Sequence, residues 1–432
     1  MHLIQDLLQK TDPGREAARI MRVLADAGFV AMLAGGCVRD ALLGRTPKDF
    51  DVATNARPEV VREVFGKRLT LAFGQSFGVI GVLPPHSTDR APDAAVLPTE
   101  VATFRADGQY SDGRRPDSVA YGDAEADAAR RDFTINGLFF DPTRDEVIDY
   151  VGGRKDLCDG RLRTIGDPWK RFDEDKLRML RAVRFATTLG FEMEASTLDA
   201  IVKHAESIQV VSGERIGAEM RRLLTADHAA IGLRLLVDSC LAESIWPDLG
   251  SVDHDELQAR LDRLAPKTFP AAAAVSCLTI AESISTELAG TNDIAIQGVR
   301  RLTQSWKLST DEERSIRAGI QHGRFIAMSE DVRWSELQPR LMDRDIASTL
   351  SVAESVYGSV AGVERAKREL QRPVDRLNPE HLLTGDDLVA MGHRPSPDFK
   401  RWLQEARRLQ LDGEVDSREA IIDRLNLDRD EA

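Results

Sequence analysis

The feature that most restricts how this chain can fold is an asymmetry in its hydrophobic periodicity. Short strand-like runs occur only before about residue 150, and the rest of the chain repeats with helical spacing. Residues 15–28 predict an amphipathic helix, with Ala18, Ile20, Met21, Leu24 and Ala27 apolar and Gly28 as its stop. Residues 29–36 (FVAMLAGG) predict a buried strand that closes on a glycine pair, followed by a helical turn in VRDALLG and a second strand in FDVAT. Further strands are expected at 78–83 and 95–104, with loop chemistry at 84–93 (PPHSTDRAPD). Residues 107–132 are rich in Gly, Asp and Arg and lack periodicity, so they read as a mobile loop. From Asp173 onward helical periods dominate, broken at Gly190, Ser212-Gly213, Pro247 and Pro270, and 372–379 (RPVDRLNP) reads as a hinge. The expected fold class is therefore α+β: a head of mixed sheet and helices followed by an all-α body.

With 432 residues, the chain has room for about three domains at ~150 residues each. The boundaries drawn from these breaks are 1–150, 151–225, 226–372 and 373–432. A hydrophobic fraction of 42% with 30% charged residues excludes wholesale disorder. No stretch approaches the roughly 18 apolar residues of a membrane span, and the N-terminus lacks a signal-peptide layout, so no membrane partner is expected. Cys37, Cys158, Cys240 and Cys277 lie far apart with no CxxC pair, which argues against a zinc knuckle or disulfide framework and for a reducing cytoplasm.

The net charge of −13 argues on its face against a polyanionic partner, yet it conceals a local reversal. Residues 161–185 hold eight basic side chains against four acidic ones, whereas 411–432 hold eight acids against three arginines. Any phosphate-binding surface must be a bounded patch.

The strongest local signal runs from Leu33 to Thr54, LAGGCVRDALLGRTPKDFDVAT. On a strand, Asp49 and Asp51 at i, i+2 would project from one face, which suits hard, oxygen-ligated divalent cations such as Mg²⁺. Upstream, Gly35 and Gly36 allow the backbone close to a ligand, and Arg39 offers a fork for phosphate. A lone DxD is more often a solvated strand face. It is the joint spacing with GGxVRD that lifts this one.

These residues resemble the nucleotidyltransferase head of the class II tRNA nucleotidyltransferase (CCA-adding) and bacterial poly(A) polymerase family, within the DNA polymerase β-like superfamily. The resemblance continues collinearly through EVATF (100–104), DGRRPDSV (112–119), RRDFTINGLFFDP (130–142), VGGRKDLCDGRLRTIGDP (151–168), DEDKLRMLRAVRFATTLGF (173–191) and SGERIGAEM (212–220). A weaker match lies at 385–403. It implies a DNA polymerase β-like head at 1–150 and a nucleotide- and RNA-binding neck at 151–225. The helical body and C-terminal module that follow would include a possible tRNA-binding tail. Asp49 and Asp51 would hold catalytic Mg²⁺ ions, with Glu100 as a candidate third carboxylate or the buried partner of an arginine. Gly36 and Arg39 would contact the triphosphate, beside Gly35. Arg131 would touch nucleotide phosphate or base edge, while Asp132 and Asn136 would fix the local backbone.

In the EDxxR element, Asp175 and Arg178 would read the base edge. Arg donates and Asp accepts, and both cytosine and adenine present an amino donor beside a ring-nitrogen acceptor. At 100° per residue on one continuous helix, Asp175 and Arg178 are neighbours, Arg181 lies within reach, and Arg184 falls on the opposite side, where a solvated arginine is an even alternative. The implied reaction is in-line attack of an RNA 3′-hydroxyl on the α-phosphorus of CTP or ATP, assisted by two metal ions, with pyrophosphate leaving. The implied partners are tRNA, ATP and CTP, and no DNA. Within the family, complete CCA addition is favoured over CC-only or A-only addition and over poly(A) synthesis. This rests on the GQSFGVIGV pattern at 74–82 and on the lack of a long basic tail. A silent RNA-binding protein and a small-molecule nucleotidyltransferase are the competing classes.

Other features carry less. His254-Asp255 lacks a second HD pair on the apolar helix PAAAAVSCLTI, so it reads as a surface pair and not a phosphohydrolase metal site. Cys37 reads as a small packing residue. Lys367–Pro373, Arg401 and Arg407-Arg408 could track an RNA backbone or could be solvated helix faces.

Overall fold

The computed structural model describes residues 2–74, 78–85, 97–107, 119–285 and 290–427. The expected loop at 84–93 falls mostly outside these residues, as does 108–118 of the expected mobile loop.

Helices α1 (His2–Lys10) and α2 (Asp12–Asp26) lead into β1 (Ala31–Ala34), α3 (Gly36–Leu42), β2 (Val52–Thr54) and α4 (Pro58–Phe65). Then follow β3 (Thr70–Gly74), β4 (Val79–Val82), β5 (Thr99–Thr103), β6 (Arg105–Asp107), β7 (Val119–Tyr121), α5 (Ala124–Ala129), β8 (Leu138–Asp141) and β9 (Glu146–Asp149). Helix α2 is fixed at both ends by local chemistry. Thr11 accepts from the Gly14 N–H at 3.1 Å, and Gly28 turns the chain away at φ +85°.

One seven-stranded sheet, in the order β3-β4-β5-β2-β1-β8-β9, organises the head. Only β2 and β5 run parallel; the other neighbours are antiparallel. Strands β1 (AMLA) and β8 (LFFD) are buried along their whole length, so they read as continuous apolar runs and not as alternating ones. Met32, Ala34, Ala53, Phe104, Ala124, Ala128 and Phe139 form one cluster of this core. The segment expected as an unbroken loop to residue 132 is more ordered than its composition implied. Its β7 pairs with β6, and Asp123 caps α5 by accepting from the Ala126 N–H at 2.8 Å.

After the sheet come α6 (Gly153–Cys158), β10 (Arg161–Leu162), α7 (Pro168–Glu174), α8 (Leu177–Leu189), β11 (Glu192–Met193), α9 (Ala195–His204) and α10 (Gly213–Leu224). Strands β10 and β11 form a two-residue parallel pair, a small exception to the expectation of helix alone past residue 150. The remaining described elements are helical. The chain divides into two compact units, Met1–Glu219 with Gly232–Pro247, and Met220–Ile231 with Asp248–Ala432.

Within the second unit, the apolar helix Phe269–Ile284 is buried on nearly every side and packs against helices Thr310–Ala327 and Ile346–Tyr357. The 372–379 segment, expected as a hinge, is hydrogen-bonded to its surroundings. Buried Gln338 donates to the Leu377 carbonyl at 3.1 Å and to Asn378 at 3.0 Å, while Arg407 donates to the Pro379 carbonyl at 2.8 Å. No helix among the described residues is long and apolar enough to cross a membrane.

Candidate active site

The parallel register of β2 and β5 aligns Val52 with Val101, which sets Asp51 beside Glu100 one step earlier. The Ala34 N–H donates to the Asp51 carbonyl at 3.1 Å, so Asp51 continues the strand pairing. Asp49 lies ahead of β2, outside any strand, so strand alternation does not set its direction. Asp49, Asp51 and Glu100 are all exposed, and none of the three carboxylates has a hydrogen-bond or ion-pair partner among the described residues. Asp51 keeps solvent access yet is crowded by protein. That partial desolvation, with the charges of Glu100 and then Asp49 beside it, outweighs the opposing pull of Arg131 and pushes its pKa up to about 6.

Unpartnered hard oxygens that repel one another fit a divalent cation chemically. No group of three His, Cys, Asp or Glu among the described residues is arranged to enclose a metal. Asp49 and Asp51 are the carboxylates that would hold such a cation.

The glycine turn is built differently at its two positions. Gly35 has φ +76°, donates its N–H to the Leu138 carbonyl at 2.9 Å, and leaves no room for a side chain, since a Cβ would sit 2.6 Å from Arg131 Nη1. At Gly36 an added Cβ would meet only Arg39 Nη2, at 3.7 Å. Protein packing therefore does not require a glycine at 36, and the space beside it is open.

The two arginines expected at the triphosphate are anchored internally. Arg39 is buried, donating to Asn136 Oδ1 at 2.6 Å and to Asp40 at 2.8 Å. Arg131 donates to Asp127 at 3.0 and 3.2 Å and to the Asn136 carbonyl at 3.3 Å, with its guanidinium 5.1 Å from the Phe139 ring.

The element expected to read the base departs from the single-helix expectation. Asp175 is not on α8; it closes α7 in an extended conformation (φ −148°, ψ 106°), and α8 begins at Leu177. Helical angles measured from Asp175 therefore do not apply. Its carboxylate instead accepts from the Leu177 N–H at 3.1 Å and from Arg215 at 2.7 Å. Arg178 is buried and donates to Glu174 at 2.5 Å and to the carbonyls of Arg171 (3.2 Å) and Arg130 (3.3 Å). Arg181 donates to Asp132 at 3.0 and 2.5 Å and lies 3.7 Å from Glu219. Arg184 is not a solvated side chain: it is buried and bonded to buried Glu219.

Asp132 holds this array together. It accepts from the Phe133 N–H at 2.8 Å and from Asn136 Nδ2 at 2.9 Å, which is the backbone-fixing role expected of it, and it also receives Arg181. Burial works against its charge, but Arg181, the Asn136 hydrogen bond and Arg178 prevail and hold its carboxyl well below the usual range. A continuous path thus runs Arg39–Asn136–Asp132–Arg181–Glu219–Arg184. Arg215 and Glu219 escaped the reading of single residues. The available signal for Glu219 was a carboxylate on the buried stripe of α10 marked by Ile216, Met220 and Leu223.

The lesser candidates take structural places. Cys37 is buried, and desolvation followed by the charge of Asp51 pushes its thiol up to about 12. His254 and Asp255 open a helix capped by Asp253. The basic runs are largely neutralised: Lys367 pairs with Glu354 and Glu364, Arg372 with Glu369, Arg401 with Asp398, and Arg408 with Glu405, Asp412 and Glu414.

Residues 31–163 match the poly(A) polymerase head domain, and 190–252 match the probable RNA- and SrmB-binding site of polymerase A. The chain is 38% identical over 260 residues to the CCA-adding enzyme of Bacillus pumilus, a match that spans 60% of either chain. It is 32% identical over 421 residues to the CCA-adding enzyme of Geobacillus stearothermophilus, covering 95% of this chain and 96% of the relative. The crystal structure of the Bacillus stearothermophilus CCA-adding enzyme in complex with CTP is similar with a TM-score of 0.74 at 27% identity, covering 96% of this chain and 98% of that one.

Proposed function

The chain belongs to the family of CCA-adding enzymes and bacterial poly(A) polymerases, and from that premise we propose that it adds CCA to tRNA 3′ ends from CTP and ATP, releasing pyrophosphate. The observation that carries this reading is similarity to a CCA-adding enzyme along nearly the whole chain, helical units included. The family's chemistry uses a divalent metal. Asp49 and Asp51, unpartnered and mutually repelling, are the side chains suited to hold it, and Mg²⁺ is the ion we propose. When bound it supplies positive charge at the triphosphate and makes the attacking hydroxyl more acidic.

The chain's own residues orient the reactants. The open space at Gly36 admits the triphosphate against the α3 turn, and Arg39 and Arg131, steadied by Asn136, add fixed positive charge beside it. The RNA 3′-oxygen forms its bond to the α-phosphorus as the bond to pyrophosphate breaks, with no covalent enzyme intermediate. Asp175 accepts from the exocyclic amine of C or A, and Arg178 donates to the neighbouring ring nitrogen. Both are already bonded within the protein, so base reading is an exchange: Arg178 trades Glu174 and two carbonyls for a base edge, and Asp175 shares its carboxylate with Arg215. The cytoplasm, where tRNA and nucleotides meet, is the proposed location.

The test is incubation with labelled CTP or ATP, Mg²⁺ and tRNA lacking its terminal CCA. Two C residues and one A followed by a stop support the reading. A long A ladder on any RNA indicates poly(A) synthesis instead, and no incorporation overturns the proposal.

A further inference from the structure

We propose that Trp169 forms a stacking platform for an unpaired base of the RNA strand, outside the nucleotide site. Of the five tryptophans, Trp169 alone is exposed, at 40%. It lies at the start of α7, where Asp167 accepts from its N–H at 3.0 Å. The indole is braced from α9. The His204 ring packs against it at 4.8 Å with a 59° tilt, and the Lys203 ammonium lies 5.1 Å from the ring centroid.

The brace comes at an energetic cost. His204 Nε2 is buried without a hydrogen-bond partner, and Nδ1 lies 3.8 Å from Asp173, whose carboxylate already receives Lys176 at 2.7 Å. A histidine that forgoes a hydrogen bond to steady a ring still open to water is poorly explained by core packing. It is well explained by the need to hold an aromatic face in one orientation.

The charge around the ring selects the partner. Lys170 and Lys203 are exposed and form no ion pair with the described residues, so cations are available for a phosphate backbone beside an aromatic surface. Aromatic faces flanked by cations bind single-stranded nucleic acid with little sequence preference. Position agrees as well, because Trp169 and Asp175 stand at opposite ends of α7, six residues or about 9 Å apart along a helix. A strand whose 3′ end reaches the α-phosphorus of the nucleotide read at Asp175 would have its last bases within reach of α7. The inference rests on the RNA-extending reading above.

The experiment compares wild-type enzyme with W169A, W169F and K203E. KM for tRNA lacking CCA, KM for CTP and selectivity for C and A over U are measured for each. W169A should raise the RNA KM about tenfold, within the range of base–aromatic stacking. W169F should retain most of the affinity, and K203E should raise the RNA KM several-fold in a manner that added salt diminishes. CTP KM and base selectivity should stay unchanged. An unchanged RNA KM in both W169A and K203E overturns the proposal and leaves this face to a protein partner. A parallel rise in CTP KM also overturns it, because Trp169 would then act only through α7. Should W169A fail to fold, fluorescence decides: RNA should quench wild type more than W169F, and equal quenching overturns the platform. A wild-type enzyme that extends no RNA refutes the proposed function, while quenching by RNA still judges the platform separately.

Discussion

The two ends of the candidate site are finished to different degrees. At the carboxylate end, Asp49, Asp51 and Glu100 are exposed, alike in sign and without partners among the described residues. At the arginine end, Arg178, Arg181 and Arg184 are largely buried, and each is matched to an acid, Glu174, Asp132 or Glu219. The first end holds like charges that the proposed cation would relieve. The second is a preassembled array whose protein partners would give way to the proposed base. An uncompensated charge is tolerable where water reaches it, whereas a buried guanidinium must be paired before any ligand arrives.

The largest effect should come from the unfinished end. Asp51→Ala should lower transfer at least about a thousandfold, several kcal/mol of transition-state stabilisation, without lowering the melting temperature, because no partner is lost. A melting temperature that falls with activity would show that the carboxylate is structural, erasing the contrast.

Asp132→Ala tests the finished end and should behave in the opposite way. Stranding Arg181 should cost about 3–5 kcal/mol of stability, read from the denaturant midpoint. Because the folded-state pKa of Asp132 is depressed, its contribution is complete above the ordinary carboxylate range and is lost as pH falls below about 4. The wild type should therefore lose this increment in acid, and Asp132→Ala should not.

Arg178→Ala should relax selectivity for C and A over U by about ten- to a hundredfold, the scale of one charge-assisted hydrogen bond. Triphosphate affinity should change less. Selectivity that survives would make Arg178 purely architectural. The smallest effect should come from Gly36→Ala. Its methyl meets only Arg39 at ordinary contact distance, so stability should shift by no more than about 0.5 kcal/mol while the KM for CTP rises.

The same contrast marks what could be read without coordinates. Strands at 31–34, 52–54, 79–82 and 99–103 follow from local apolar runs, and the stop at Gly28 follows from glycine chemistry. The nearness of Asp49 and Asp51 needs only two residues of separation. What stayed hidden depends on distant partners. Asp132 meets Arg181 across 49 positions, and Glu219 meets Arg184 across 35. No periodicity encodes such pairings. The break at Asp175 falls in the charged run Asp173–Lys176 between Phe172 and Leu177, where no glycine or proline marks it; the backbone there is extended and the carboxylate receives Arg215. Strand β7 was missed because it lies beside a Gly-, Asp- and Arg-rich stretch that resembles pure loop.

The Phe185 ring lies 5.1 Å from the guanidinium of Arg39, 5.3 Å from that of Arg181 and 3.7 Å from that of Arg184, and Phe133 meets its edge at 5.7 Å. One benzene ring is thus a common bearing for Arg39, proposed for phosphate, and for two arginines of α8, which also carries Arg178, proposed for base reading. Changes at 39, 181 and 184 should be non-additive in pairs, since each alters the seat of the others. On the proposed assignments, lineages of this enzyme could not retune phosphate grip and base preference as separate traits. They would inherit them together.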